Sequence, residues 1–147
     1  MKNTIDLQWG EFAGSAALRK QLTRAAVQKW VNHALNKPGE ITVRIVGEAE
    51  AQAMNLQFRG KAYATNVLTF DYTQEPVVSA DLVLCAPVVQ QEATEQNKAL
   101  VTHYAHLIVH GTLHAQGYDH ETNERDALEM ETLEILLLGA LNIANPY

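Results

Sequence analysis

His110, His114 and His120 stand at positions 0, 4 and 10 of the stretch HGTLHAQGYDH, and Gly117 lies between the last two. On a helix, side chains four residues apart share one face with Cβ atoms about 6 Å apart, so His110 and His114 can reach a single metal ion. A third ligand cannot simply continue along the axis. By the helical rise, position 120 would lie roughly 9 Å beyond His114, so the chain must turn back. Glycine enters the left-handed backbone that ends helices at little steric cost, and Gly117 sits where that turn is needed to swing Tyr118-Asp119-His120 round. Three neutral imidazoles leave the fourth position of tetrahedral zinc open, which suits a catalytic site better than a structural one.

The remaining histidines offer a rival. His103, His106, His110 and His114 fall on one helical stripe, so His106 and His110 also form a ligand pair, but nothing in the sequence marks a third ligand for them. His103 is about 10 Å along the axis from His110 and cannot join the same ion. For His103 and His106 the expectation is therefore a hydrogen-bonded place in the core. The 110/114/120 spacing is also that of the metzincin proteases, which carry a glutamate directly after the first histidine. Here that residue is Gly111. Amide hydrolysis needs a proton delivered to the leaving nitrogen, and glycine cannot carry one. Zinc lowers the pKa of its water towards neutrality and so supplies a nucleophile by itself. Phosphodiester cleavage asks instead for positive charge on the non-bridging oxygens, from the metal and preferably from an arginine. The missing glutamate argues against a peptidase and leaves phosphoryl chemistry open.

An arginine is at hand. Arg59-Gly60-Lys61 places two cations beside a flexible residue, and arginine can grip phosphate with two parallel hydrogen bonds. Arg59 could equally be a cation at a helix C-terminus, worth about 0.3–1 kcal/mol against the helix dipole. Thr65-Asn66 is expected to cap or turn into the next strand, Asp81 to hydrogen-bond at the start of another, and Cys85 to be a buried small apolar residue. Asp119 either orients His120 or bonds within its own turn. Met130 lies in EMETLEILLLGAL, a helical pattern, and is read as core.

The elements that must hold these groups fit one domain spanning residues 1–147. The chain is 47 % apolar, with only short breaks at Lys37-Pro38-Gly39, Gln74-Glu75-Pro76 and Asn145-Pro146. Strands are expected around Ile5 and Leu7, over 41–47 with Ile41, Val43 and Ile45 on one side, over 67–72 and over 81–85. Helices are expected over 15–36 with Ser15 as N-cap, over 48–58, from Pro87 to the mid-90s, and over roughly 99–116 and 123–139. Together these give a mixed α/β sheet covered by helices. One cysteine, no signal-like N-terminus and an apolar run at 135–141 too short to cross a bilayer suggest a cytoplasmic protein. The formal charge of −6 counts against a protein that coats nucleic acid, though not against an enzyme with a local cationic patch.

With these residues in view, a resemblance emerges. HGTLHAQGYDH resembles the HGxLHxxGYDH signature of the YbeY proteins, metal-dependent endoribonucleases linked to ribosomal RNA maturation. FRGKAYATNVLTFDY at 58–72 is similar to the family's R-G-K…T-[DN]-V-L-S-F stretch, and ADLVLC at 80–85 to its G-D-I-V-I-C strand. The likeness spans nearly the whole chain. It implies one zinc per chain, or another divalent transition metal, on His110, His114 and His120, with Arg59 as the catalytic cation. It implies a single α/β domain of the α+β type, with a mixed sheet of about four strands and the metal site at the end of a helix in the C-terminal half. The implied substrate is single-stranded RNA, especially the 3′ end of immature 16S rRNA, with the ribosome as the setting and neither membrane nor DNA as partner. Two residues depart from the pattern: Ala80 replaces the usual glycine and Thr69 the usual serine. Two rival functions share the same histidines. A zinc-dependent peptidase or amidohydrolase would show a glutamate from elsewhere at the metal's water. A non-catalytic ribosome-binding zinc module would show a fourth protein ligand.

Overall fold

A computed structural model describes residues 3–118 and 123–147. In chain order the elements are β1 (Thr4–Trp9), α1 (Ser15–Gln21), α2 (Arg24–Ala34), β2 (Gly39–Val46), α3 (Glu48–Arg59), β3 (Val67–Thr73), β4 (Val78–Cys85), α4 (Ala86–Glu95), α5 (Leu100–Ala115) and α6 (Glu124–Ala140). The four strands form one sheet in the order β1-β2-β4-β3. β1, β2 and β4 run parallel, and β3 closes one edge antiparallel to β4. This is the mixed four-stranded sheet with helices on it that the pattern of apolar residues predicts.

The sheet separates two apolar clusters. Ile41, Val43 and Ile45 alternate along β2 as expected and join Leu82 and Leu84 in the larger cluster with α2, α5 and α6. Val83 and Cys85 of β4 face the other way, with Leu68 of β3 and Ala51 of α3. The second half of β4, Leu82 to Cys85, is thus buried on both faces, which is why it reads as an unbroken apolar run. The strand begins at Val78, three residues before the expected Asp81, because its pairing with β2 runs from Gly39↔Val78 to Val46↔Cys85. Cys85 is buried, and burial pushes its thiol pKa up. No helix among the described residues is long and apolar enough to cross a membrane.

The expected single helix over 15–36 is two. Leu22 ends α1, and the Thr23 side chain accepts a hydrogen bond from the Ala26 amide at 3.2 Å, starting α2 afresh. A threonine oxygen offered to a free amide competes with continuing the helix, and apolar spacing alone does not register that competition. Ser15 is not the N-cap of α1. Gly14 holds that position with φ 87°, and Ser15 is the first helical residue.

Helix α5 positions the site. Ten of its sixteen residues are buried, so the histidine stripe is a polar seam on a helix that otherwise runs through the core. Gly111 lets it lie directly on the sheet: a Cβ there would come within 3.0 Å of Leu82 Cδ2 and 3.5 Å of Thr69 Oγ1. The helix ends as the spacing predicts. Gly117 turns left-handed at φ 101°, its amide bonds to the His114 carbonyl at 2.9 Å, and the Tyr118 amide reaches back to Leu113 at 3.2 Å. Those are the two bonds of a Schellman termination.

Candidate functional site

A cleft of about 1140 Å³ is lined by Arg59, His106, His110 and His114, with β3 along one wall. His110 and His114 stand with ring centroids 4.7 Å apart and nearly perpendicular, which places the first two residues of the spaced triple together. His120 and Asp119 lie outside the described residues. Arg59 occupies the last turn of α3, beside left-handed Gly60 at φ 69°. Both readings of Arg59 are therefore geometrically satisfied. It ends a helix, and it is exposed on the cleft without an ion pair among the described residues.

The residue that spacing did not reveal is Glu134 of α6. It is fully buried, yet its carboxylate serves three groups at once. Oε1 accepts from His110 Nδ1; Oε2 accepts from His106 Nε2 at 3.1 Å and from the Tyr147 hydroxyl. Burial pushes the Glu134 carboxyl up, but hydrogen bonds from His106 and His110, the His110 charge and the Tyr147 bond overcome it and hold the group at about 2. It is a carboxylate at any ordinary pH. Burial, then the bond to Glu134, pushes the Tyr147 phenol up, so it remains a donor.

His106, His110 and Glu134 offer ligand atoms that all lie within 4.8 Å of one another. The expectation that nothing marks a third ligand for the His106–His110 pair therefore fails. Glu134 supplies a carboxylate from a helix distant in sequence, and such a contact has no local spacing to betray it. A signal was nonetheless present. Met130, Glu134 and Leu138 are four residues apart, and all three are buried, so an acidic residue interrupts an apolar stripe. Burying a carboxylate is costly unless it is bonded, so such an interruption points to a partner. Imidazole and carboxylate are suitable donors for zinc and its neighbours in the transition series, so the cluster fits a divalent metal.

His103 takes the core place expected of it, with one ring nitrogen bonded and Nδ1 lacking a hydrogen-bond partner among the described residues. It is buried, and its Nε2 bonds Glu92 at 2.9 Å. Burial lowers its pKa against the opposing pull of Glu92, favouring the neutral ring. Glu92 also accepts from Asn66 Nδ2 at 3.1 and 3.2 Å. Asn66 Oδ1 in turn takes the Val67 amide at 2.6 Å, which confirms a turn into β3. Asp81 accepts from the Tyr72 hydroxyl at 2.7 Å, and Met130 is core.

Fold and site together define a class: a small α/β protein whose central helix offers a row of imidazoles, backed by a buried carboxylate, to an open cleft. The family profile described as Endoribonuclease YbeY matches residues 11–142. Among proteins named Endoribonuclease YbeY, that of Polaromonas sp. (strain JS666) is 67 % identical over 143 residues, covering 97 % of this chain and 93 % of its own. That of Acidovorax sp. (strain JS42) is 61 % identical over 144 residues, covering 98 % and 95 %. A Thermotoga maritima protein solved in solution shares the fold with a TM-score of 0.58 at 26 % identity, covering 93 % of this chain and 91 % of its own. The chain belongs to the YbeY family.

Proposed function

We propose that this chain, like the relatives named Endoribonuclease YbeY, hydrolyses phosphodiester bonds in RNA and acts in ribosomal RNA processing. The observation that carries the reading is the convergence of the α5 imidazoles and Arg59 on one cleft. In this reading the metal is zinc or a similar divalent ion, one per chain, held by His110, His114 and His120. When bound, it would supply Lewis acidity and an activated water at neutral pH. Glu134 accepts from His110 Nδ1, which fixes the tautomer and directs a metal on this ring to Nε2. The alternative grouping of His106, His110 and Glu134 would instead place an ion against a carboxylate of zero exposure that already accepts from Tyr147. Both Glu134 oxygens are already engaged by His106, His110 and Tyr147, so we favour an orienting role for Glu134. Arg59 holds a non-bridging phosphate oxygen as charge develops on it. The substrate is single-stranded RNA, the 3′ region of immature 16S rRNA in particular, met at the ribosome in the cytoplasm.

The rival functions draw less support. Both oxygens of Glu134 are committed to side chains, so it is not a substitute for the zincin base. A wide cleft beside His110 and His114 suits a substrate better than a purely structural ion. The reading is tested by offering the purified, metal-loaded protein unstructured RNA and unfolded casein in parallel. RNA should be cut and casein spared. Restoring the zincin residue with Gly111→Glu should create no protease, because the new side chain must enter packed space against Leu82. It should cost more than about 3 kcal/mol, as overpacking and a buried charge combine. Casein cleavage that follows the protein through purification and disappears on metal removal would overturn the substrate class.

A further inference from the structure

Three aromatic side chains on the cleft are exposed, Phe58 at 59 %, Tyr63 at 51 % and Tyr72 at 62 %, and contacts restrain the rings of Phe58 and Tyr72. Phe58 meets Phe70 edge to face with centroids 4.8 Å apart, and Phe70 packs on the smaller apolar cluster. Tyr72 is tied to the sheet through its hydroxyl, which donates to Asp81 at 2.7 Å. The carbonyl of Tyr63 accepts from Asn55, which is fully buried. Large apolar rings held open to water on one wall of a site mark a surface made to be covered.

Their placement says by what. Thr69 of β3 faces Gly111 and the histidine helix, whereas Phe70 faces α3 and pairs with Asp81 across the sheet. The cleft therefore passes over the edge strand, from imidazoles on one side to aromatic rings on the other, with Arg59 next in sequence to Phe58. We infer that Phe58 and Tyr72, held by Phe70 and Asp81, form a subsite on which an unpaired nucleobase stacks while the adjoining phosphate sits at Arg59. This rests on the endoribonuclease reading and adds to it a physical basis for preferring single strands. A ring face can stack only on a base already free of its duplex neighbours.

Steady-state cleavage of single-stranded RNA by the metal-loaded full chain tests the subsite, using Phe58→Ala/Tyr72→Ala and the ring-preserving Phe58→Tyr, which leaves the Tyr72–Asp81 bond in place. Loss of a stacked base typically weakens binding by about fivefold to 100-fold. The alanine pair should raise KM by at least about fivefold, and its kcat should change by less than about threefold because bond-breaking groups are untouched. An abasic ribose-phosphate oligomer should inhibit parent and alanine pair equally, and Phe58→Tyr should match the parent. An unchanged KM in the alanine pair, or an equal loss of affinity for the abasic oligomer, overturns the subsite while leaving RNA cleavage by the parent intact. A parent that cuts no RNA overturns the endoribonuclease reading itself, and the subsite with it. An extended apolar peptide that displaces RNA from the parent but not from the alanine pair would assign the wall to peptide and overturn the subsite.

Discussion

Arg59→Glu should yield a folded, metal-loaded protein that cleaves RNA at least about 100-fold more slowly than the parent, since losing one donor to transition-state charge typically costs about 10²–10³-fold. The substitution reverses the charge where the scissile phosphate is proposed to sit. Stability should hardly respond. Arg59 is exposed and makes no ion pair among the described residues, so only its favourable place at the end of α3 is lost. That is worth about 0.3–1 kcal/mol, and a glutamate there reverses its sign. Rate, metal content and melting temperature measured on one preparation separate the two roles. Parent-like cleavage would leave Arg59 as a helix-end cation and nothing more.

Glu134 makes the opposite prediction, a large effect on stability and metal together. In Glu134→Leu, the donors on His106, His110 and Tyr147 lose their acceptor at once. A buried unsatisfied donor costs about 1–3 kcal/mol, and because these three donors line the open cleft, where water can reach them, the variant should lose about 1–3 kcal/mol in all. In Glu134→Gln the volume is kept and one acceptor oxygen survives. That variant should fold, still saturate at one metal per chain, and bind the metal about 10- to 100-fold more weakly, the usual cost of losing a carboxylate that orients a ligating histidine. Chelator competition against the parent reads the affinity directly. Equal affinity in the glutamine variant would remove Glu134 from the metal's support.

These two residues also mark how far the sequence was legible. Arg59 is singled out by its place beside Gly60 and Lys61, a local pattern, and its assignment as the catalytic cation comes from the family resemblance. Local pattern also marks His110, His114 and the left-handed turn at Gly117, where helical geometry converts spacing into position. The alternation of Ile41, Val43 and Ile45 gave β2 its buried face for the same reason. Glu134 was missed because its meaning depends on α6 packing against α5, a contact that no local spacing encodes. The break at Thr23 was missed for a different cause. The apolar period continues across it, and one hydroxyl accepting the Ala26 amide decides the matter. Gly111 was read only as a missing base, whereas the fold gives it a second purpose in seating α5 on Leu82.

The central claim is that the metal belongs to the triple of His110, His114 and His120, with His106 and Glu134 in support. Metal content per chain, measured after saturation and removal of excess ion for His114→Ala and His106→Ala side by side, tests it most directly. Ligand loss should empty the site, because a two-imidazole remnant holds a divalent ion too weakly to survive the wash. The account predicts that His114→Ala carries almost no metal while His106→Ala keeps close to one ion per chain. An empty His106→Ala beside a loaded His114→Ala would contradict it and move the ion to the cluster of His106, His110 and Glu134.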